Sequence, residues 1–141
     1  MQARDITPRY AVSPQISVED IPAIAEAGFK LVICNRPDEE VPPSHQAAAI
    51  REAAEAAGLQ FEQLPLTHQT MTPENVARQR ALYEGADGQV LAYCASGTRS
   101  SVVWALGQAK DLGADEVLAK TAAAGYALDG LRPALEAAAN P

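Results

Sequence analysis

Short β-branched apolar runs alternate along this chain with longer Ala-, Glu- and Leu-rich stretches whose apolar positions recur at helical spacing. That alternation predicts an α/β domain. Tyr10-Ala11-Val12-Ser13 reads as a first short strand. Ser17 is placed to cap a helix carrying Ile21, Ile24, Ala25 and Gly28 on one stripe, although Pro22 leaves its start open. Residues 29–34, Phe-Lys-Leu-Val-Ile-Cys, are nearly all apolar, the pattern of a central strand covered on both faces in a largely parallel sheet. Residues 45–57 align Ile50, Ala53, Ala54 and Ala57, with Arg51, Glu52 and Glu55 off that stripe and Gly58 standing where a helix ends. A strand over residues 59–64 follows, and Thr72-Pro73 supplies an N-cap and a first-turn proline for a helix to about Glu84. Residues 89–93 read as the next strand and run straight into Cys94. Beyond it, Val102, Val103, Leu106 and Ala109 mark a helix ending near Gly113. Asp115 is placed to cap a further short helix ending near Gly125, and residues 131–139 form a terminal one.

The chemistry concentrates between the last strand and the helix after it. Cys94, Gly97 and Arg99 sit in the turn Cys94-Ala95-Ser96-Gly97-Thr98-Arg99-Ser100, where successive backbone N–H groups at a helix N-terminus converge on one point. Such a point holds an anion. The same positive helix end, with the Arg99 guanidinium, favours the thiolate, the reactive form of Cys94, and Ser100 is placed to hydrogen-bond the sulfur. Ala95, Ser96, Gly97, Thr98, Arg99 and Ser100 are therefore the expected anion-binding residues, with Cys94 and Arg99 catalytic. The competing structural reading makes Cys94 a small core residue and Arg99 a surface charge.

Composition narrows the partners. The 141 residues carry 11 basic and 18 acidic side chains, a formal charge of −7, with no basic cluster to serve as a nucleic-acid footprint. The first five residues, Met1-Gln2-Ala3-Arg4-Asp5, lack a secretion pattern and no apolar stretch reaches the roughly 18 residues a membrane span needs, so a cytoplasmic protein without membrane contact is expected. One domain over residues 1–141 is the working division. Two cysteines exclude a disulfide scaffold, and the two histidines, His45 and His68, form no spaced ligand set, so neither metal nor other cofactor is expected.

Strand, cysteine loop, arginine and helix occur together in two kinds of thiolate enzyme, the tyrosine and dual-specificity phosphatases and the rhodanese-type sulfurtransferases. Locally the loop resembles the rhodanese version, since four residues separate Cys94 from Arg99 where phosphatases carry five. Over the whole chain the order of elements resembles a small dual-specificity phosphatase. The chain is more similar still to the bacterial beta-lactamase-hydrolase-like, phosphatase-like domain family, often labelled as sulfur transferases. Val12-Ser13-Pro14-Gln15-Ile16, Asn35-Arg36-Pro37-Asp38, residues 93–101, Trp104-Ala105-Leu106 and Ala124-Gly125-Tyr126 carry that resemblance. It implies a phosphatase-like α/β fold with a central, mostly parallel sheet of four or five strands flanked by helices. It also implies a small anionic substrate, either a sulfane-sulfur donor or a phosphate ester. Because members can be fused to metallo-beta-lactamase-like domains of the sulfur-dioxygenase kind, it implies such a domain as a partner. The family usually has a non-thiol residue near position 34, where this chain has Cys34.

Phosphomonoester hydrolysis needs a general acid for the leaving alkoxide, which phosphatases of this build place as an Asp after the strand equivalent to residues 59–64. Residues 65–71 contain no carboxylate, leaving His68, or Asp38 or Glu39 from the neighbouring strand end, as stand-ins. Sulfur transfer needs no such acid, which favours it over phosphate hydrolysis; a silent anion-binding module ranks last because the nucleophile is retained. Cys34 reads as core filler before resolving thiol, and His68 as a solvated loop residue before proton donor. Arg36 either widens the positive field or pairs with Asp38 or Glu39, and Trp104 is a core anchor. Tyr93 stands where phosphatases often have His.

Overall fold

The computed structural model describes residues 2–140 and contains a five-stranded sheet in the order β1-β2-β5-β3-β4. The strands are β1 (Arg4–Thr7), β2 (Tyr10–Ser13), β3 (Phe29–Cys34), β4 (Gln60–Gln63) and β5 (Gln89–Tyr93). All neighbours run parallel except β1, which folds back antiparallel on β2 as an edge hairpin. β1 is the element the sequence pattern does not announce: Arg4 and Asp5 are exposed and only Ile6 is buried, so no alternation stands out.

The helices are α1 (Ile21–Glu26), α2 (Ala47–Ala56), α3 (Pro73–Glu84), α4 (Thr98–Leu112), α5 (Ala114–Ala123) and α6 (Arg132–Ala139). Their apolar faces divide the core in two because side chains alternate across the pleat. Leu31, Ile33, Val90 and Ala92 pack with Trp104, Val117 and Leu135 beneath α3 to α6. Val32, Cys34, Leu91 and Tyr93 pack with Ile21, Ile24 and Ile50 beneath α1 and α2. Central β3 and β5 are covered on both faces, which is why their sequences are continuously apolar. Trp104 is the anchor expected of it, 2% exposed and stacked on Tyr10 at 6.3 Å.

Several boundaries depart from the sequence reading. Ser17 opens a short 3-10 turn (Val18–Asp20), its N–H donating to the Asp20 carboxylate, and α1 begins behind that turn with Pro22 in its first turn. His45 lies in a preceding 3-10 turn (Pro43–His45), so α2 starts only at Ala47. Asp115 does not cap α5. Gly113 holds that position, and Asp115 sits in the first turn, 2.8 Å from the Arg132 guanidinium. Thr72 does cap α3, its hydroxyl accepting from the Asn75 N–H at 3.2 Å. Among the described residues no helix is long and apolar enough to cross a membrane.

Leu135 is the only fully buried residue of α6 and seats that helix on α4. Leu135→Ala is expected to cost about 2–5 kcal/mol in urea unfolding, the range for emptying a closed aliphatic site.

Candidate active site

Parallel strands deliver their C-terminal ends to one edge of the sheet, so β5 brings Cys94 and β3 brings Asn35 and Arg36 to the same crevice. After Cys94 the chain turns through Gly97, whose φ of 96° lies in the left-handed region, and enters α4 at Thr98. The turn folds its own donors inward. The Gly97 N–H donates to the Cys94 sulfur at 3.1 Å, and the Ser96 hydroxyl accepts from the Thr98 N–H at 3.3 Å while donating to Thr98 Oγ1. Cys94 is buried on the floor of this turn, facing the positive end of α4. Ala95, Ser96 and Thr98 are exposed around it, and the Ala95 carbonyl is held from outside by the Gln15 N–H at 3.2 Å.

Arg99 closes the crevice. Its Nη1 donates to Glu40 Oε2 at 2.9 Å and to the Leu66 carbonyl at 2.8 Å, and its Nη2 to Glu40 Oε1 at 2.8 Å. Those bonds use three of the five N–H donors a guanidinium carries, and the group lies close enough to the Cys94 sulfur to interact with it. Glu40 draws the guanidinium pKa up, and attraction to the Cys94 sulfur adds to the rise. Glu40 in turn is held below the usual carboxylate range, chiefly by Arg99 and also by Arg36, whose Nε lies 3.0 Å from Oε1. Of the two roles expected of Arg36, pairing is realised, but with Glu40, the last residue of the 3-10 turn Asp38–Glu40, in place of Asp38 or Glu39.

Ser100 does not reach the sulfur. Its hydroxyl donates to Asn35 Oδ1 at 2.8 Å, because Ser100 faces the core from the first turn of α4 and Asn35 lies directly beneath. Asn35 Nδ2 donates to the Leu64 carbonyl and to Gln79 Oε1, both at 2.9 Å. Gln79 Nε2 returns bonds to Asn35 Oδ1 and the Tyr10 hydroxyl, which itself donates to the Ser100 carbonyl at 2.9 Å. Four buried side chains from β2, the β3 end, α3 and α4 therefore saturate one another under the loop. The sequence holds a trace of this: Gln79 shares an inward stripe with Val76 and Tyr83 by its i+3, i+4 spacing, so a polar group had to be buried there.

The stand-in acids separate. Asp38 lies in the 3-10 turn Asp38–Glu40, and its Oδ1 accepts from the Ala47 N–H at 2.9 Å, which commits it to the start of α2. Glu39 belongs to the same turn and is exposed. His68 is exposed on the loop after β4 and lines a cavity of about 310 Å³ with Glu40, Thr67, Gln69 and Arg99. Cys34 faces the α1 and α2 layer, its thiol donating to the Arg36 carbonyl at 3.4 Å, and burial pushes its pKa up. Tyr93 points the same way; its buried hydroxyl lies next to Cys34, and desolvation pushes its pKa up. Among the described residues, no group of three or more His, Cys, Asp or Glu side chains could hold a metal ion.

Residues 2–111 match the family described as beta-lactamase hydrolase-like protein, phosphatase-like domain. The chain belongs to this family. The beta-lactamase hydrolase-like protein of Agrobacterium fabrum is 32% identical over 111 residues, covering 79% of this chain and 26% of the relative. Its Xylella fastidiosa namesake is 34% identical over 131 residues, 91% of this chain and 30% of the relative. The chain thus spans between a quarter and a third of those curated relatives. A crystal structure from Neisseria meningitidis Z2491, described as a candidate phosphatase, is 34% identical with a TM-score of 0.88 over 98% of this chain and 99% of that one. TpbA of P. aeruginosa, solved in complex with pTyr, shares the fold at 19% identity, with a TM-score of 0.60 over 99% of this chain and 91% of its own. The α/β architecture with its mostly parallel sheet is as the sequence pattern predicted, and its phosphatase-like form is as the family resemblance implied.

Two outcomes test this arrangement. Asn35→Ala strands the buried Gln79 amide and Ser100 hydroxyl, so urea unfolding should show a loss of about 2–4 kcal/mol, well beyond that of an ordinary surface change. Glu40, with a folded pKa below its unfolded one, contributes stability that is complete above the ordinary glutamate value of about 4.3 and disappears as pH falls through the lowered value. Glu40→Gln should therefore flatten the decline of the urea midpoint below about pH 4.3 relative to the parent, modestly because Glu40 is 35% exposed.

Proposed function

We propose that the protein is a thiolate-dependent sulfurtransferase that carries sulfane sulfur as a persulfide on Cys94. The observation that carries this reading is the commitment of the nearby acids: Asp38 is bonded to the Ala47 N–H, and Glu40 is held ionised between Arg99 and Arg36. Neither of these two acids is free to protonate a leaving alkoxide, whereas sulfur transfer asks for no proton. The Cys94 thiolate attacks the outer sulfur of a donor such as thiosulfate; the new S–S bond forms as the old one breaks, and sulfite leaves with the electron pair. The Cys94 persulfide anion then rests against the Gly97 N–H and the first turn of α4, with the Arg99 guanidinium nearby. A thiophile such as cyanide takes the outer sulfur and restores the thiolate, so charge balances in both halves. A short loop with four residues between Cys94 and Arg99 suits a one-atom load.

Hydrolysis of phosphate monoesters through a phosphocysteine is the second reading. It is favoured by the description of the N. meningitidis structure and by His68, which lines the cavity beside Arg99 and, like the exposed Glu39, is not committed by hydrogen bonds to the fold. In both readings the substrate is a small anion. If persulfide is the product, a metallo-beta-lactamase-like sulfur dioxygenase is the fitting partner, since that class of reaction consumes it.

Parallel assays decide between the two. Thiosulfate-to-cyanide transfer is expected, with one added sulfur on Cys94 by mass spectrometry, and Cys94→Ser should abolish it by about 10³-fold or more. Aryl phosphate hydrolysis that depends on Cys94 and His68, with no sulfur ever gained, would falsify the sulfurtransferase reading.

A further inference from the structure

The Ser96–Gly97 peptide is gripped from both sides. Its N–H, on Gly97, donates to the Cys94 sulfur at 3.1 Å; its carbonyl, on Ser96, accepts from the Tyr126 hydroxyl at 2.9 Å. The bond is trans, so the two contacts lie on opposite flanks of one rigid plane. Tyr126 follows α5 and is half-buried, and its hydroxyl lies so close over Gly97 that a Cβ at that position would collide with it. In the loop that presents Tyr126, Gly125 has φ 99°, and the Arg4 guanidinium of β1 packs so closely that a Cβ there would lie 3.2 Å from Nη1. Burial and the nearby Cys94 sulfur both raise the Tyr126 pKa, which keeps its hydroxyl a donor.

We propose that Tyr126 is a positioning residue for the Cys94 nucleophile: its hydroxyl fixes the Ser96–Gly97 peptide so that the Gly97 N–H stays on the sulfur. A peptide whose carbonyl accepts a hydrogen bond is polarised and becomes a stronger donor at its N–H, so the chain Tyr126 O–H to Ser96 C=O, Gly97 N–H to Cys94 sulfur acts cooperatively. Without the hydroxyl the glycine-flanked plane is free to rotate and withdraw its donor. The inference rests on Cys94 being the nucleophile and holds whether sulfur or phosphoryl is transferred.

Tyr126→Phe keeps the ring and removes the donor, while Tyr126→Leu removes both. The full chain is followed by iodoacetamide alkylation of Cys94 at neutral pH, by thiolate absorbance at 240 nm against Cys94→Ser, and by turnover. Tyr126→Phe is expected to slow alkylation and lower kcat about five- to tenfold, with KM within about twofold, a smaller thiolate signal and an unchanged urea midpoint. Tyr126→Leu should show the same loss in alkylation. A reactive parent matched by Tyr126→Phe, with loss appearing only in Tyr126→Leu, reduces Tyr126 to packing and overturns this inference alone. A parent Cys94 no more reactive than a thiol of the urea-unfolded chain removes the nucleophile and this inference together.

Discussion

Burying an amide pair, a hydroxyl and a phenol beneath the Cys94 loop costs desolvation that only complete pairing offsets. Asn35 makes that pairing possible, since one carboxamide offers two donors and an acceptor and here uses all three, on Leu64, Gln79 and Ser100. Through it the end of β3, the strand end of β4, α3 and the first turn of α4 share one hydrogen-bonded knot. The Cys94 loop is the roof of that knot. Its backbone course, and hence the aim of its N–H groups, depends on Ser100 being anchored from below.

A second fixed relation acts from the rim. Arg99 is triangulated by two carboxylate oxygens and a carbonyl, so the direction of its guanidinium is fixed. Glu40 both sets that direction and halves the local positive charge, and Arg36 compensates from the other side. The crevice therefore presents one oriented guanidinium, one helix end and one loop N–H in place of a broad positive field.

Much of this was legible in the chain itself. Two-faced burial made β3 and β5 readable from apolar runs, and the order strand, Cys94, Gly97, Arg99, helix located the turn that carries Cys94. What stayed hidden depends on contacts between distant residues. Glu40 and Leu66 meet Arg99 only once β3 and β4 lie side by side, Ser100 turns from sulfur to Asn35 because of what packs below it, and Tyr126 arrives over Ser96 from 30 residues away. β1 was missed for a different reason: an edge hairpin with a single buried residue carries almost no periodic signal.

Gly113 alone separates α4 from α5, so the chain runs from the Cys94 turn along one helix, back along the next, and reconnects through Tyr126. This is a closed mechanical circuit with no slack. Each residue of helix advances the chain by about 1.5 Å and turns it by about 100°. A single insertion or deletion anywhere in α4 or α5 would therefore swing the phenol away from the loop even if both helices kept their apolar stripes. Within this circuit the lengths of two helices, and not only their compositions, are under constraint from the chemistry at the far end.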